Sequence, residues 1–478
     1  MQKSGGQSSV AAEEVERAQL GDVRRNRRLV KIVAAMSAKP DASIPQQAVT
    51  EAAREATYQF LNNPKVEFTQ VLEPHSVRTA ERIVKQGTAL VVHDTTEFHF
   101  RGDVHRAGLG RLGRGSGEGF FCHLALGVGV DGTREPLGVL GVETYVRGDQ
   151  RKPKDSEKRI PNRESLRWGR LIDTVEKHFD GDARLIHTLD SEGDIYEVLV
   201  ALTQKERGFV IRAARDRALM KDETSERPYL YSRLKMELPV AQRFANLSAR
   251  KAKKGQSTAK KARRRNRARK PRKAVLDIRA AHVRLRIPDQ ARGEKLPTSV
   301  AVNVVSVIET NPPRGQEPVN WTLLTSEPID TVEDLKRIID YYRARWLIEE
   351  FFKAIKTGCN YEKAQLESYR ALRIQLAMTL PVAYQLLRAR YLSRVAPATP
   401  ASEIFRPTML SVLRYELNGT FPTEPTVADA LNAMASLGGH IKNNGPPGWA
   451  VIGRGYQRAL LLERGWRAAR GLRRSDQS

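Results

Sequence analysis

Helical and strand periodicities alternate along this chain in blocks. In "VRRNRRLVKIVAAMSA" Leu29, Ile32 and Val33 recur at helical spacing, and Asp22 just ahead is placed to cap the first turn. "TEAAREATYQFLNN" predicts a second helix that Asn63-Pro64 stops. At 89–93 the texture changes to "ALVVH", a short apolar strand with Asp94 at its end. "GFFCHLALGVGVDGTREPLGVLGVETYV" (119–146) predicts a hairpin that turns at Asp131-Gly132. "ARLIHTLD" (183–190) is another apolar strand ending in aspartate, with the helices "SLRWGRLIDTVEKHFD" before it and "DIYEVLVALTQ" after it. Strands and turns then dominate from about 216 to 330, and helices resume from "YYRARWLIEEFFKAIKTG" (341–358) onward.

This alternation implies an α/β fold: a mixed sheet flanked by helices. The expected organisation is a helical region at 1–85, an α/β domain at 86–372 with a β-rich insertion at about 216–330, and a helical region at 373–478. There is no internal repeat. A chain of 478 residues is long enough for several domains with a sizeable core.

Charge changes the picture most. Lys and Arg number 81 against 55 Asp and Glu, for a net charge of +26. The run "RKAKKGQSTAKKARRRNRARKPRK" (250–273) holds 14 basic residues and no acidic ones. A polyanionic partner follows, with nucleic acid as the leading candidate. Arg24, Arg25, Arg27 and Arg28 crowd the first turns of a helix, against its dipole, an arrangement that a phosphate would relieve. The two cysteines, Cys122 and Cys359, exclude a disulfide framework and fit a reducing cytoplasm, and nine scattered histidines give zinc little support. No apolar run is long enough to span a bilayer and no signal-peptide pattern opens the chain, so no membrane role is expected. "GLGRLG" (108–113) matches a dinucleotide fingerprint, but "RGSGEG" follows where that mechanism needs a helix.

The candidate chemistry lies in carboxylates. Asp94 and Asp190 sit at strand ends, where α/β sheets bind ligands, although either could simply cap a turn. On a helix, Tyr342, Arg345, Glu349, Lys353 and Lys356 fall within about 80° of one another, and Leu347, Ile348, Phe351 and Ile355 face the other way. Glu350 lies about 100° from Glu349 and off this stripe, as a flanking residue either on the surface or supporting the site from behind. Pairs such as Arg345–Glu349 and Glu349–Lys353 could be ordinary salt bridges, but the cations outnumber the acid, and phosphate would supply the missing anion. Three carboxylates suit two Mg²⁺ or Mn²⁺ ions acting on a phosphodiester.

The spacing of Tyr342, Arg345, Glu349 and Lys356 resembles the YREK signature of DDE transposases in the insertion-sequence-four family. "DTT" after the first strand, "LDSEGDIY", "NWTLLTSEPI", "GDVRRNRRL" and "YQFLNNPKV" are similar as well, although Asn62 stands where a relative has arginine. The resemblance implies an RNase H-like core with Asp94, Asp190 and Glu349 binding two Mg²⁺, for which Mn²⁺ would substitute. It makes Tyr342, Arg345, Lys353 and Lys356 phosphate holders, Trp321 a stacking partner for a flipped base, and Arg212 a further DNA contact. The N-terminal helices would recognise terminal inverted repeats of double-stranded DNA, and the C-terminal helices would form a homodimer that synapses two ends. The implied reaction is cut-and-paste transposition: 3′ nicking, an end hairpin, hairpin opening and strand transfer, in a bacterial cytoplasm on DNA. The competing expectations are a catalytically silent DNA-binding regulator and a stand-alone RNase H-like nuclease.

Overall fold

The computed structural model describes residues 10–48, 50–100, 105–112, 117–147, 163–179, 181–220, 229–247, 270–291, 295–441 and 447–469. Helices come first, the three longest being α1 (Val23–Ala38), α2 (Glu51–Asn62) and α3 (Phe68–Gln86). Asp22 caps α1 by accepting from the Arg24 amide at 2.7 Å, and Asn63 caps the end of α2.

The sheet begins with β1 (Thr88–Phe100), β2 (Gly110–Arg111), β3 (Glu118–Gly129) and β4 (Pro136–Tyr145). The expected hairpin is the antiparallel β3–β4 pair. Helix α4 (Arg167–Glu176) leads to β5 (Arg184–Leu189), and α5 (Tyr196–Gln204) leads to β6 (Gly208–Arg212). β5 lies parallel to both β1 and β6, while β3 runs antiparallel to β1. The order β4-β3-β1-β5-β6 with these directions is consistent with an RNase H-like domain.

After α6 (Leu230–Met236) come β7 (Ala241–Leu247), β8 (Arg272–Arg286), β9 (Ser299–Glu309) and β10 (Asn320–Thr325). These strands form no layer of their own. β10 pairs antiparallel with β6, so they extend the core sheet to ten strands. Of the basic run at 250–273, only residues 270–273 are among those described.

The helix expected at 341–358 is divided. Thr331 opens α7 (Val332–Ala344) with a capping box through Asp334. At Arg345 the ladder tightens to Arg345 N–Tyr342 O, then α8 runs Trp346–Lys353, and a π turn follows at Ala354–Gly358. A single angular step per residue therefore does not hold along this stretch. The chain ends in α9 (Tyr369–Val395), α10 (Pro407–Glu416), α11 (Val427–Leu437) and α12 (Trp449–Ala469).

One apolar core joins Leu29 and Val33 of α1, Leu90 and Val92 of β1, Ile348 and Phe351 of α8, and Leu376 and Leu380 of α9. A separate cluster packs α10, α11 and α12 on the end of α9. No described helix is long and apolar enough to cross a membrane.

Candidate active site

Asp94 does not end its strand. β1 continues through it to Phe100, because its partner β3 pairs along the whole length from Ala89 to Phe100. What stops is β5: its last partner pair with β1 is Val92 with Thr188, and the same register two residues on brings Asp94 level with Asp190. Asp190 follows the last residue of β5 and caps the turn Ser191–Gly193, its Oδ1 accepting from the Glu192 amide at 2.8 Å. Asp94 Oδ1 accepts from the Thr95 amide at 2.8 Å.

α8 brings the third carboxylate. Asp94, Asp190 and Glu349 line one pocket of about 330 Å³ together with Thr95, Thr96, Phe352, Lys353, Lys356 and Thr357. Arg345 donates from Nη1 to Asp94 Oδ2 at 2.7 Å, and its Nη2 lies 3.7 Å from Glu349 Oε1. Burial raises the Asp94 carboxyl to about 7; Arg345 opposes the rise, and the charges of Asp190 and Glu349 add to it.

The cations differ from the helical-wheel expectation. Lys353 does reach the pocket lining, but its ammonium pairs with Glu350 at 2.7 Å, not with Glu349. Lys356 lines the pocket and donates to the Glu97 carbonyl at 2.6 Å. Tyr342 is buried, its ring meeting Trp321 edge-on at 5.5 Å, with the Arg212 guanidinium beside its hydroxyl. Trp321 is half-buried on β10, and Arg212 also donates to the Asn320 carbonyl at 3.3 Å. Glu349, Lys353 and Lys356 still face the one pocket, with Arg345 beside Glu349, while Tyr342 turns into the core.

Glu350 is only partly exposed, at 20% in its side chain, and of its two expected roles its contacts favour support from behind the site. It accepts from Lys353, from Arg390 Nη1 of α9 at 3.0 Å and from Trp449 Nε1 of α12 at 3.1 Å. At the N-terminus, Arg24 and Arg27 are exposed, Arg28 is half-buried, and Arg25 donates to the Lys65 carbonyl at 3.2 Å.

Composition and spacing gave no hint of the polar seam behind the sheet. His123 of β3, His93 of β1 and His187 of β5 are fully buried on adjacent strands, where His93 Nε2 and His187 Nδ1 stand 2.9 Å apart. His187 Nε2 reaches Glu176 at 2.8 Å, and His123 Nδ1 lies 2.9 Å from the Thr95 hydroxyl. Burial pushes His93 and His123 well below the ordinary imidazole value, so both are neutral near pH 7. Such a cluster is assembled by strand pairing, which residue spacing along the chain does not reveal.

Residues 171–384 match the family described as Transposase DDE domain. The chain carries a transposase DDE domain. Residues 7–66 match Transposase DNA-binding, a span that includes Arg24, Arg25, Arg27 and Arg28. Together the two domains support a DNA-binding transposase. Asp190 and Glu349 lie within the DDE match, while Asp94 on β1 precedes it.

A DDE domain typically works with divalent metal ions. The donor set fits, because the pocket offers carboxylate oxygens without sulfur or imidazole, as hard cations require. As they stand, no three acidic, His or Cys side chains among the described residues converge closely enough to hold an ion. Arg345 occupies part of that space as a bridge between Asp94 and Glu349.

Proposed function

We propose that this protein is a cut-and-paste transposase of the insertion-sequence-four branch, in which Asp94, Asp190 and Glu349 hold two Mg²⁺ ions. The observation that carries this reading is the shared pocket: carboxylates from two adjacent parallel strands and from α8 meet beside Lys353 and Lys356. Bound there, the metals would activate a water or a 3′-hydroxyl and stabilise the leaving oxygen of a phosphodiester. Mn²⁺ would substitute for Mg²⁺.

The protein's own residues position the DNA. Lys353, half-exposed at the pocket, and Lys356 hold phosphates, while Arg345 offsets the charge of Asp94 and Glu349. Trp321, half-buried on β10 with Tyr342 packed edge-on against it, offers the stacking surface for a displaced base, with Arg212 beside the pair. The helical region at 1–85, with Arg24, Arg25, Arg27 and Arg28, reads the terminal inverted repeat. The region at 373–478 forms the homodimer that synapses two ends, and the catalytic region between them spans 86–372. Each pocket then nicks a 3′ end, forms and opens a hairpin, and joins the end to target DNA.

The test uses DNA carrying the element's terminal inverted repeat, labelled at the end, with Mg²⁺. A nick followed by a hairpin supports the reading. Binding without any cleavage would favour a silent regulator, and cleavage of DNA lacking the repeat would favour a general nuclease.

A further inference from the structure

Beyond Val92 and Thr188 the ladder between β1 and β5 ends, so no strand pairing fixes Asp94 against Asp190. Arg167, the first residue of α4 and 7% exposed in its side chain, spans that gap from behind the sheet. Its Nε donates to the Thr95 hydroxyl at 3.2 Å, and its Nη2 donates to Glu192 Oε2 at 2.9 Å. A third bond, from Nη1 to the Glu164 carbonyl at 3.3 Å, anchors the guanidinium to the turn before α4. Its carbon sits 5.4 Å from the Trp168 ring centre and 5.9 Å from that of Tyr145, which further limits its movement.

The two bonded residues relate to the aspartates in the same way. The Thr95 amide holds Asp94 Oδ1 at 2.8 Å, and the Glu192 amide holds Asp190 Oδ1 at 2.8 Å. One rigid, planar fork therefore grips both residues whose backbone orients the carboxylates. A guanidinium offers fixed, divergent donors for this, and a lysine ammonium on a flexible stem does not.

We propose that Arg167 is a positioning residue that sets the separation of Asp94 and Asp190, with Glu192 as its anchor on the β5 side. The inference rests on the reading of those aspartates as metal ligands. Residues that orient metal ligands from outside typically contribute about 10- to 100-fold in metal affinity.

The experiment titrates the full chain with Mn²⁺, read by the loss of free-ion electron paramagnetic resonance signal, for wild type, Arg167→Lys, Glu192→Gln and Asp94→Asn. Melting temperature and DNA-end binding in EDTA are measured in parallel. Arg167→Lys and Glu192→Gln should each weaken Mn²⁺ binding about tenfold or more, with metal-free DNA binding unchanged. Glu192 is 66% exposed in its side chain, so its variant decides the matter if Arg167→Lys does not fold. Wild-type affinity in both variants, with binding lost in Asp94→Asn, would overturn the positioning role alone. Wild-type affinity in Asp94→Asn as well would overturn the metal-ligand reading and the proposal with it.

Discussion

Arg345 and Asp94 form a close ion pair at the pocket, Nη1 to Oδ2 at 2.7 Å, with both side chains about 15% exposed or less. The same guanidinium stands 3.7 Å from Glu349. It thus neutralises a site in which burial and neighbouring carboxylates push Asp94 up to about 7.

Removing that cation should move the site's ionisation further up. In Arg345→Ala, Mn²⁺ binding should require a higher pH than in wild type, because Asp94 loses its main stabilising charge. The pH midpoint of Mn²⁺ binding checks this. An unmoved or acid-shifted midpoint would sever Arg345 from the ionisation of Asp94.

In the metal-free protein the raised carboxyl has a signed consequence. The folded state favours the protonated form, so this contribution is complete below the ordinary value of 3.8 and is lost as pH rises to about 7. Asp94 should therefore lower wild-type stability across that window by roughly 4 kcal/mol at most. Chemical denaturation in EDTA at pH 4 and 8 should show a smaller loss for Asp94→Asn than for wild type.

The adjacent glutamates should separate cleanly. Glu349 is 39% exposed in its side chain, with Arg345 3.7 Å away, so Glu349→Ala should change stability by less than about 1 kcal/mol while abolishing cleavage. Glu350 ties α8 to Arg390 and Trp449, and Glu350→Ala should cost about 3 kcal/mol because Arg390 is left buried without it. Denaturant midpoints and single-turnover cleavage of both variants provide the comparison.

A second ionic group holds the N-terminal segment. Glu14, buried at 3% exposure, meets His75 Nδ1 at 2.6 Å and Arg82 Nη1 at 2.8 Å. Burial would raise its carboxyl, but these hydrogen bonds and charges outweigh burial and hold it at about 2. Its stabilisation is present above the ordinary value of 4.5 and is lost as pH falls towards 2. Glu14→Gln should cost roughly 3 kcal/mol at pH 7 and less at pH 3, as urea midpoints would report.

The local features were legible in the residues themselves: Asp22 as a cap, Asn63-Pro64 as a stop, and Asp131-Gly132 as the turn between β3 and β4. Those features depend on neighbours in sequence. The separation of Glu349 from Glu350 was also legible, because it needs only the helical angle of one step. Three relationships were not. Asp94 lies within β1 because β3 supports that strand beyond the end of β5. The strands after residue 240 join the core sheet through β10 and β6, a pairing between segments over a hundred residues apart. Lys353 pairs with Glu350 one turn back on the same helix, and Tyr342 packs inward against Trp321 of β10, contacts that a helical angle alone does not choose between.

The most direct measurement is single-turnover cleavage of a DNA end bearing the terminal inverted repeat, by wild type and by Glu349→Ala, with Mg²⁺ and in EDTA. The expected result is cleavage by wild type with Mg²⁺ alone, and none by Glu349→Ala, although that variant still binds the end. Equal cleavage by Glu349→Ala, or cleavage that persists in EDTA, would contradict a metal-dependent site built on Asp94, Asp190 and Glu349.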